Sequence, residues 1–291
     1  MPDAVYRGMD ADTLAREYDA RATVPSIEPF LQRYASLSAE MRATLPCHLD
    51  VSYGPSEAEA MDIFPAGPGA PVLVFIHGGY WRLLSKDDSA FMAKAFTDEG
   101  IAVAAVDYAL APEASLDEIV RQCRSAVTWL WANGREFGID PQRIHVAGSS
   151  AGGHLVGMLT TPGWHELDGV TEDIVKGAVS ASGLYDLEPV RLTTPNEWLR
   201  LSPADAARNS PIRHLPAPGS AVGCPLIAVW GGNETAEFKR QSRDYAEAWK
   251  SRGFPCTAYE IGDRNHFDII LDLADPKRRL FRDTLAMIAA S

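Results

Sequence analysis

Positive charge is scarce in this sequence. The 291 residues carry 27 Lys and Arg against 39 Asp and Glu, a formal net charge of −12. That balance argues against nucleic acid and anionic membrane surfaces as partners. Long hydrophobic runs are also missing; none approaches the ~20 residues needed to span a bilayer. Asp3, Asp10 and Asp12 crowd the N-terminus, and without an apolar h-region no signal peptide is expected. Cysteine is sparse. Cys47, Cys123, Cys224 and Cys256 lack metal or redox spacing and are expected as buried or free thiols in a reducing cytoplasm. No His, Cys or Asp cluster has ligand spacing, so neither a metal nor a cofactor is expected. Repeats and low-complexity tracts are absent. The expected partner is a small-molecule substrate, with a homodimer left open.

What is present suits one large α/β enzyme. Apolar residues make up 46% of the chain, enough for a sizeable core. Residues 1–45 read as a helical lead-in packed on the core. Leu14, Tyr18 and Ala22 share one helix face, and Phe30, Tyr34 and Leu37 another, with Pro25 and Pro29 between. This segment shows no chemistry and is expected to cover the sheet or shape an entrance. Residues 46–291 form the main domain. Strand signals fall at 47–53, 60–64, 72–76, 101–106, 143–147, 175–181, 226–230 and 256–261. Helical patterns occupy 86–99, 113–136, 237–252 and 277–290. The alternation predicts a mostly parallel eight-stranded sheet with helices on both faces. Residues 184–223, rich in Pro, Arg and Asn and containing Trp198, are too long for a plain connection. They are expected to form a small cap-like excursion.

Three segments carry chemistry. Gly148-Ser149-Ser150-Ala151-Gly152 lies between a strand run and a helical run, the context of a nucleophile elbow with Ser150 at its tip. His77-Gly78-Gly79-Tyr80-Trp81 follows a buried strand. Its glycines let the N–H groups of Gly78 and Gly79 approach an oxyanion, with the N–H of Ala151 as the further donor. His77 is expected to brace that loop. The third segment, Gly262-Asp263-Arg264-Asn265-His266-Phe267-Asp268, follows the last strand and offers His266 as the base that serine requires. His48 and His145 lie in strand runs, His154 is just past the nucleophile, and His165 and His214 lack supporting context. A carboxylate should orient the imidazole. Glu234 is best placed, with Glu237 and Asp186 as alternatives. Tyr80, Trp81 and His154 are the expected substrate contacts, the two aromatics offering flat faces to an aromatic leaving group, with Trp81 as a filler of core space the alternative.

Together these residues resemble the α/β-hydrolase superfamily, and within it the kynurenine formamidase (arylformamidase) and esterase branch. The resemblance covers about residues 45–290. It is carried by His77-Gly78-Gly79-Tyr80-Trp81, by the elbow Gly148 to His154, by Glu237-Phe238-Lys239-Arg240-Gln241-Ser242 and by Asn265-His266-Phe267-Asp268-Ile269-Ile270. It implies Ser150 as nucleophile, His266 as base and the Glu234 position as acid; the branch usually has Asp there. The implied activity is cleavage of an aryl formamide such as N-formyl-L-kynurenine, a step of tryptophan catabolism. A carboxylesterase or amidase with the same machinery is the alternative, and a non-catalytic ligand-binding fold a minor one. Fold by itself assigns no substrate.

Overall fold

The computed structural model describes residues 4–291. Eight strands form one sheet: β1 (His48–Ser52), β2 (Ala60–Phe64), β3 (Ala70–Ile76), β4 (Ala102–Val106), β5 (Ile139–Ser149), β6 (Val175–Ala181), β7 (Leu226–Gly231) and β8 (Cys256–Ile261). Their spatial order is β1-β2-β4-β3-β5-β6-β7-β8. β1 and β2 run antiparallel to their neighbours, and β3 to β8 pair in parallel. The parallel part is reached through helical crossovers, so both of its faces are covered. β3 and β4 are buried along their whole length.

Side chains alternate across the sheet. Val72, Val74 and Ile76 of β3 join one core layer, and Leu73 and Phe75 the opposite one. The first layer packs under the helices Leu116–Asn133, Ala151–Leu159 and Ala236–Ser251. The second packs under Glu28–Thr44, Ala93–Thr97 and Arg279–Ala289. Among the described residues no helix is long and apolar enough to cross a membrane.

Three expected helices are shorter than their patterns, the 277–290 pattern yielding Arg279–Ala289. The 113–136 pattern yields Leu116–Asn133, because the Ser115 side chain accepts from Glu118 N–H and starts the helix there. The 86–99 pattern breaks into a 3₁₀ turn, Lys86–Asp88, and the helix Ala93–Thr97. The break has a cause: Lys86 turns inward, with Nζ 2.7 Å from Asp50 and 3.2 Å from Asp62. The 184–223 stretch holds three short helices, Glu188–Arg191, Asn196–Leu199 and Pro203–Arg208.

Strand order sets where a site can form. From β3 the chain goes to β4 on one side, then crosses back to β5 on the other. The carboxyl ends of β3 and β5 therefore flank a topological switch point, where open α/β sheets bind ligands. Ile76 is in register with Gly148. The segments after these two strands, His77 onward and Ser150 onward, are thus neighbours by pairing alone.

Candidate active site

Ser150 directly follows β5, with φ 58° and ψ −119°, and stands as N-cap of the helix Ala151–Leu159. Its N–H donates to Ala181 O at 2.9 Å, and His154 N–H donates back to Ser150 O at 3.0 Å. A non-glycine residue at positive φ costs roughly 1–3 kcal/mol and persists only where its surroundings hold it. Packing here is that tight: a Cβ on Gly152 would lie 2.0 Å from Ile76 O.

The loop after β3 is fixed by its carbonyls. Tyr108 Oη donates to His77 O at 2.9 Å and to Gly78 O at 3.3 Å, and its ring stacks on His77 at 4.1 Å. His77 Nδ1 lies 2.9 Å from Gly78 O, so His77 contacts the loop itself. Gly79 has φ 93°, and a Cβ there would lie 2.2 Å from Leu83 O. No acceptor among the described residues takes the N–H of Gly78, Gly79 or Ala151. With the carbonyls anchored elsewhere, these donors stand unengaged around Ser150.

The structure brings Glu234 and His266 together. His266 Nδ1 donates to Glu234 Oε2 at 3.0 Å, and both side chains are buried. A carboxylate there requires the ring proton on Nδ1, which leaves Nε2 as an acceptor. Glu234 Oε1 accepts from Ser182 Oγ and from Gly231 N–H, each at 2.5 Å. The His266 ring packs on Phe238, centroids 4.4 Å apart. Asn265 holds the loop: its Oδ1 accepts from Phe267 N–H and Asp268 N–H. The alternative carboxylates are engaged elsewhere. Glu237 pairs with Arg240 at 2.7 Å, and Asp186 accepts from Tyr6 Oη at 3.0 Å.

Ser150 and His266 line one cavity of about 100 Å³, with Gly78, Gly79 and Tyr80. The serine hydroxyl and the imidazole are not hydrogen-bonded in this conformation; such bonds commonly close only around bound substrate. Residues of the N-terminal segment, Ile27, Leu31 and Tyr34, form part of the wall. A second cavity of about 590 Å³ adjoins it through Arg21, Gly79, Tyr80 and Leu83. Among the described residues no three His, Cys, Asp or Glu side chains cluster as a metal site.

Two expected substrate contacts are corrected. Trp81 and His154 are fully buried behind the loop and do not line the cavity. Trp81 Nε1 donates to His154 Nδ1 at 3.3 Å, and His154 Nε2 meets Asn209 O at 2.7 Å. Burial pushes His154 down to about 4, so it is a neutral brace between the loop, the elbow helix and the excursion. Successive left-handed residues, Tyr80 at φ 51° and Trp81 at φ 57°, send neighbouring side chains to different sides. Ser182 and Tyr108 were not singled out by the sequence. Neither belongs to a motif, and the only available signal for Ser182 was its place directly after a strand.

A chain described as kynurenine formamidase from Danio rerio is 31% identical over 98% of this chain and 99% of its own length. The chain belongs to the kynurenine formamidase family. Another member, from Salmo salar, is 34% identical over 84% of this chain and 82% of its own. The family model BD-FAE matches residues 61–198 of this family member. A solved structure described as a candidate thioesterase, from Silicibacter sp. TM1040, superposes with a TM-score of 0.80. It shares 30% identity and covers 95% of this chain and 98% of its own. This formamidase-family chain is a hydrolase with the α/β-hydrolase fold.

Proposed function

We propose that this protein is a serine hydrolase that cleaves an aryl formamide such as N-formyl-L-kynurenine to formate and the free aromatic amine. The observation that carries the reading is the Glu234–His266 hydrogen bond at a cavity shared with Ser150 and with unengaged backbone donors. His266 Nε2 takes the Ser150 proton as Oγ bonds to the formyl carbon. The carbonyl oxygen becomes an oxyanion held by the N–H groups of Gly78, Gly79 and Ala151. The C–N bond then breaks, and the imidazolium gives its proton to the leaving amine. Water next attacks the formyl ester, His266 accepts the water's proton, formate departs, and the proton returns to Ser150. Glu234 keeps the imidazole in the required tautomer and stabilises its charged form.

The cavity shared by Ser150 and His266 has a mostly apolar wall that includes Tyr80, which suits an aromatic leaving group. Tyr80 presents its ring to the cavity, its hydroxyl donating to Tyr18 O at 2.6 Å. All four cysteines are free, which supports a reducing cytoplasm as the setting. The test is the relative kcat/KM for N-formyl-L-kynurenine, p-nitrophenyl acetate and p-nitrophenyl butyrate. The formamide is expected to lead. A clear preference for butyrate rejects the formamidase reading in favour of a general esterase.

A further inference from the structure

The wall of the catalytic cavity is mostly apolar, yet one guanidinium and one carboxylate face it: Arg21 and Asp88. They arrive from separate segments, the 3₁₀ turns Ala20–Thr23 and Lys86–Asp88. Asp88 belongs to a charged group whose other members are all paired. Lys86 Nζ serves Asp50, Asp62 and Asp87 at 2.7, 3.2 and 2.9 Å. Arg42 serves Asp87 at 2.8 Å and Asp62 at 3.6 Å. Asp88 alone has no cation within 4.0 Å among the described residues, and its one side-chain partner is Ser85 Oγ at 3.4 Å. Half-buried, its carboxyl is raised above the usual range by desolvation. Arg21, exposed where it lines the cavity, makes no side-chain ion pair or hydrogen bond among the described residues. Arg21 also stands where the catalytic cavity meets the larger one, which gives a long ligand room to continue.

A partly desolvated carboxylate without a cation is costly to leave unmatched. Two opposite charges that face one cavity without meeting each other are complementary to a group carrying both signs. We propose that Asp88 and Arg21 form a subsite for a zwitterionic α-amino-acid head, the ammonium on Asp88 and the carboxylate on Arg21. The guanidinium fork suits a carboxylate. The subsite selects aromatic substrates whose ring carries such a head near the scissile acyl group. It rests on the formamidase reading for the acyl half of the substrate only.

The experiment separates the two claims by using product-like inhibitors of p-nitrophenyl acetate hydrolysis. L-kynurenine carries the head; 2-aminoacetophenone is the same aromatic ketone without it. In the wild-type enzyme the Ki of 2-aminoacetophenone should exceed that of L-kynurenine at least tenfold, about 1.4 kcal/mol. In Asp88→Asn and in Arg21→Gln, each read as a ratio within its own protein, the two Ki values should converge to within about threefold. Equal values in the wild type, or a ratio that survives in either variant, overturns the subsite. A wild-type enzyme that keeps the ratio but does not turn over N-formyl-L-kynurenine rejects the formamidase reading and leaves the subsite standing.

Discussion

Replacing Glu234 with Gln probes the site through hydrogen-bond polarity, with almost no change of shape. Glu234 Oε1 sits between two donors, Ser182 Oγ and Gly231 N–H. The hydroxyl can rotate; the backbone N–H cannot. The Gln oxygen must therefore take that position, which turns the amide NH₂ toward His266 Nδ1, 3.0 Å from the present Oε2. Two donors cannot face each other, so Nδ1 becomes the acceptor and the ring proton moves to Nε2. The nitrogen required as base is then already protonated. A tautomer reversed in this way costs about 10⁴ in kcat, about 5.5 kcal/mol of barrier. Neither residue binds ground-state substrate in this scheme, so kcat and kcat/KM should fall together. Glu234→Asp keeps the charge but loses one methylene of reach, and a misplacement of that size costs about 10². The assay is steady-state hydrolysis at neutral pH, with thermal unfolding as a control for folding. A Glu234→Gln enzyme within tenfold of wild type would refute the orienting role.

Ser150→Ala should lower kcat by about 10⁶, the loss expected when the nucleophile of a working triad is removed; unchanged turnover rejects a Ser150 mechanism. Ser182→Ala removes one of two donors to Glu234 Oε1, a charge-assisted bond worth roughly 1.5–3 kcal/mol. It should slow hydrolysis by roughly ten- to a hundredfold, far less than Glu234→Gln, and a loss equal to that of Glu234→Gln contradicts the division of labour. Burial holds His154 neutral, down to about 4, whereas an unfolded histidine titrates near 6.5. The unfolded chain thus binds the extra proton, and stability present above pH ~6.5 is lost as pH falls toward 4. The linkage amounts to about 2 kcal/mol for this one group between pH 7.5 and 5. Urea unfolding at the two pH values measures it, and a His154→Gln protein with an undiminished pH dependence contradicts it.

The sequence made the three motifs of the candidate site readable and hid the residues that shape the pocket, and the difference is physical. At Gly152 and Gly79 a Cβ would lie about 2 Å from a backbone oxygen, 2.0 Å from Ile76 O and 2.2 Å from Leu83 O. Backbone crowding of that kind dictates residue type locally, so the elbow and the loop after β3 stand out in a linear string. Strand order then explains why segments distant in sequence meet: β5, β6, β7 and β8 are successive neighbours, and Ser150, Ser182, Glu234 and His266 follow them in turn. The choice among Glu234, Glu237 and Asp186 stayed open because it depends on side-chain reach. Register settles the geometry: Gly231 pairs with Ile261, which sets the loops bearing Glu234 and His266 side by side.

Trp81 and His154 show the opposite case. Both adjoin a legible motif, and adjacency suggested contact with substrate, yet left-handed backbone at residues 80 and 81 turns Trp81 away into the core. No pattern of residue types reveals that reversal. Ile27, Leu31 and Tyr34 come from a segment without a chemical motif and still wall the cavity. Arg21 and Asp88 are single charges among many in an acidic chain. They become distinctive only when Lys86 and Arg42 are seen to be occupied by other carboxylates. The three motifs are fixed by short-range backbone constraint, and the cavity wall by side chains converging from remote segments. Variants outside the three motifs are therefore the ones expected to change which molecule is cleaved while the bond-breaking step stays the same.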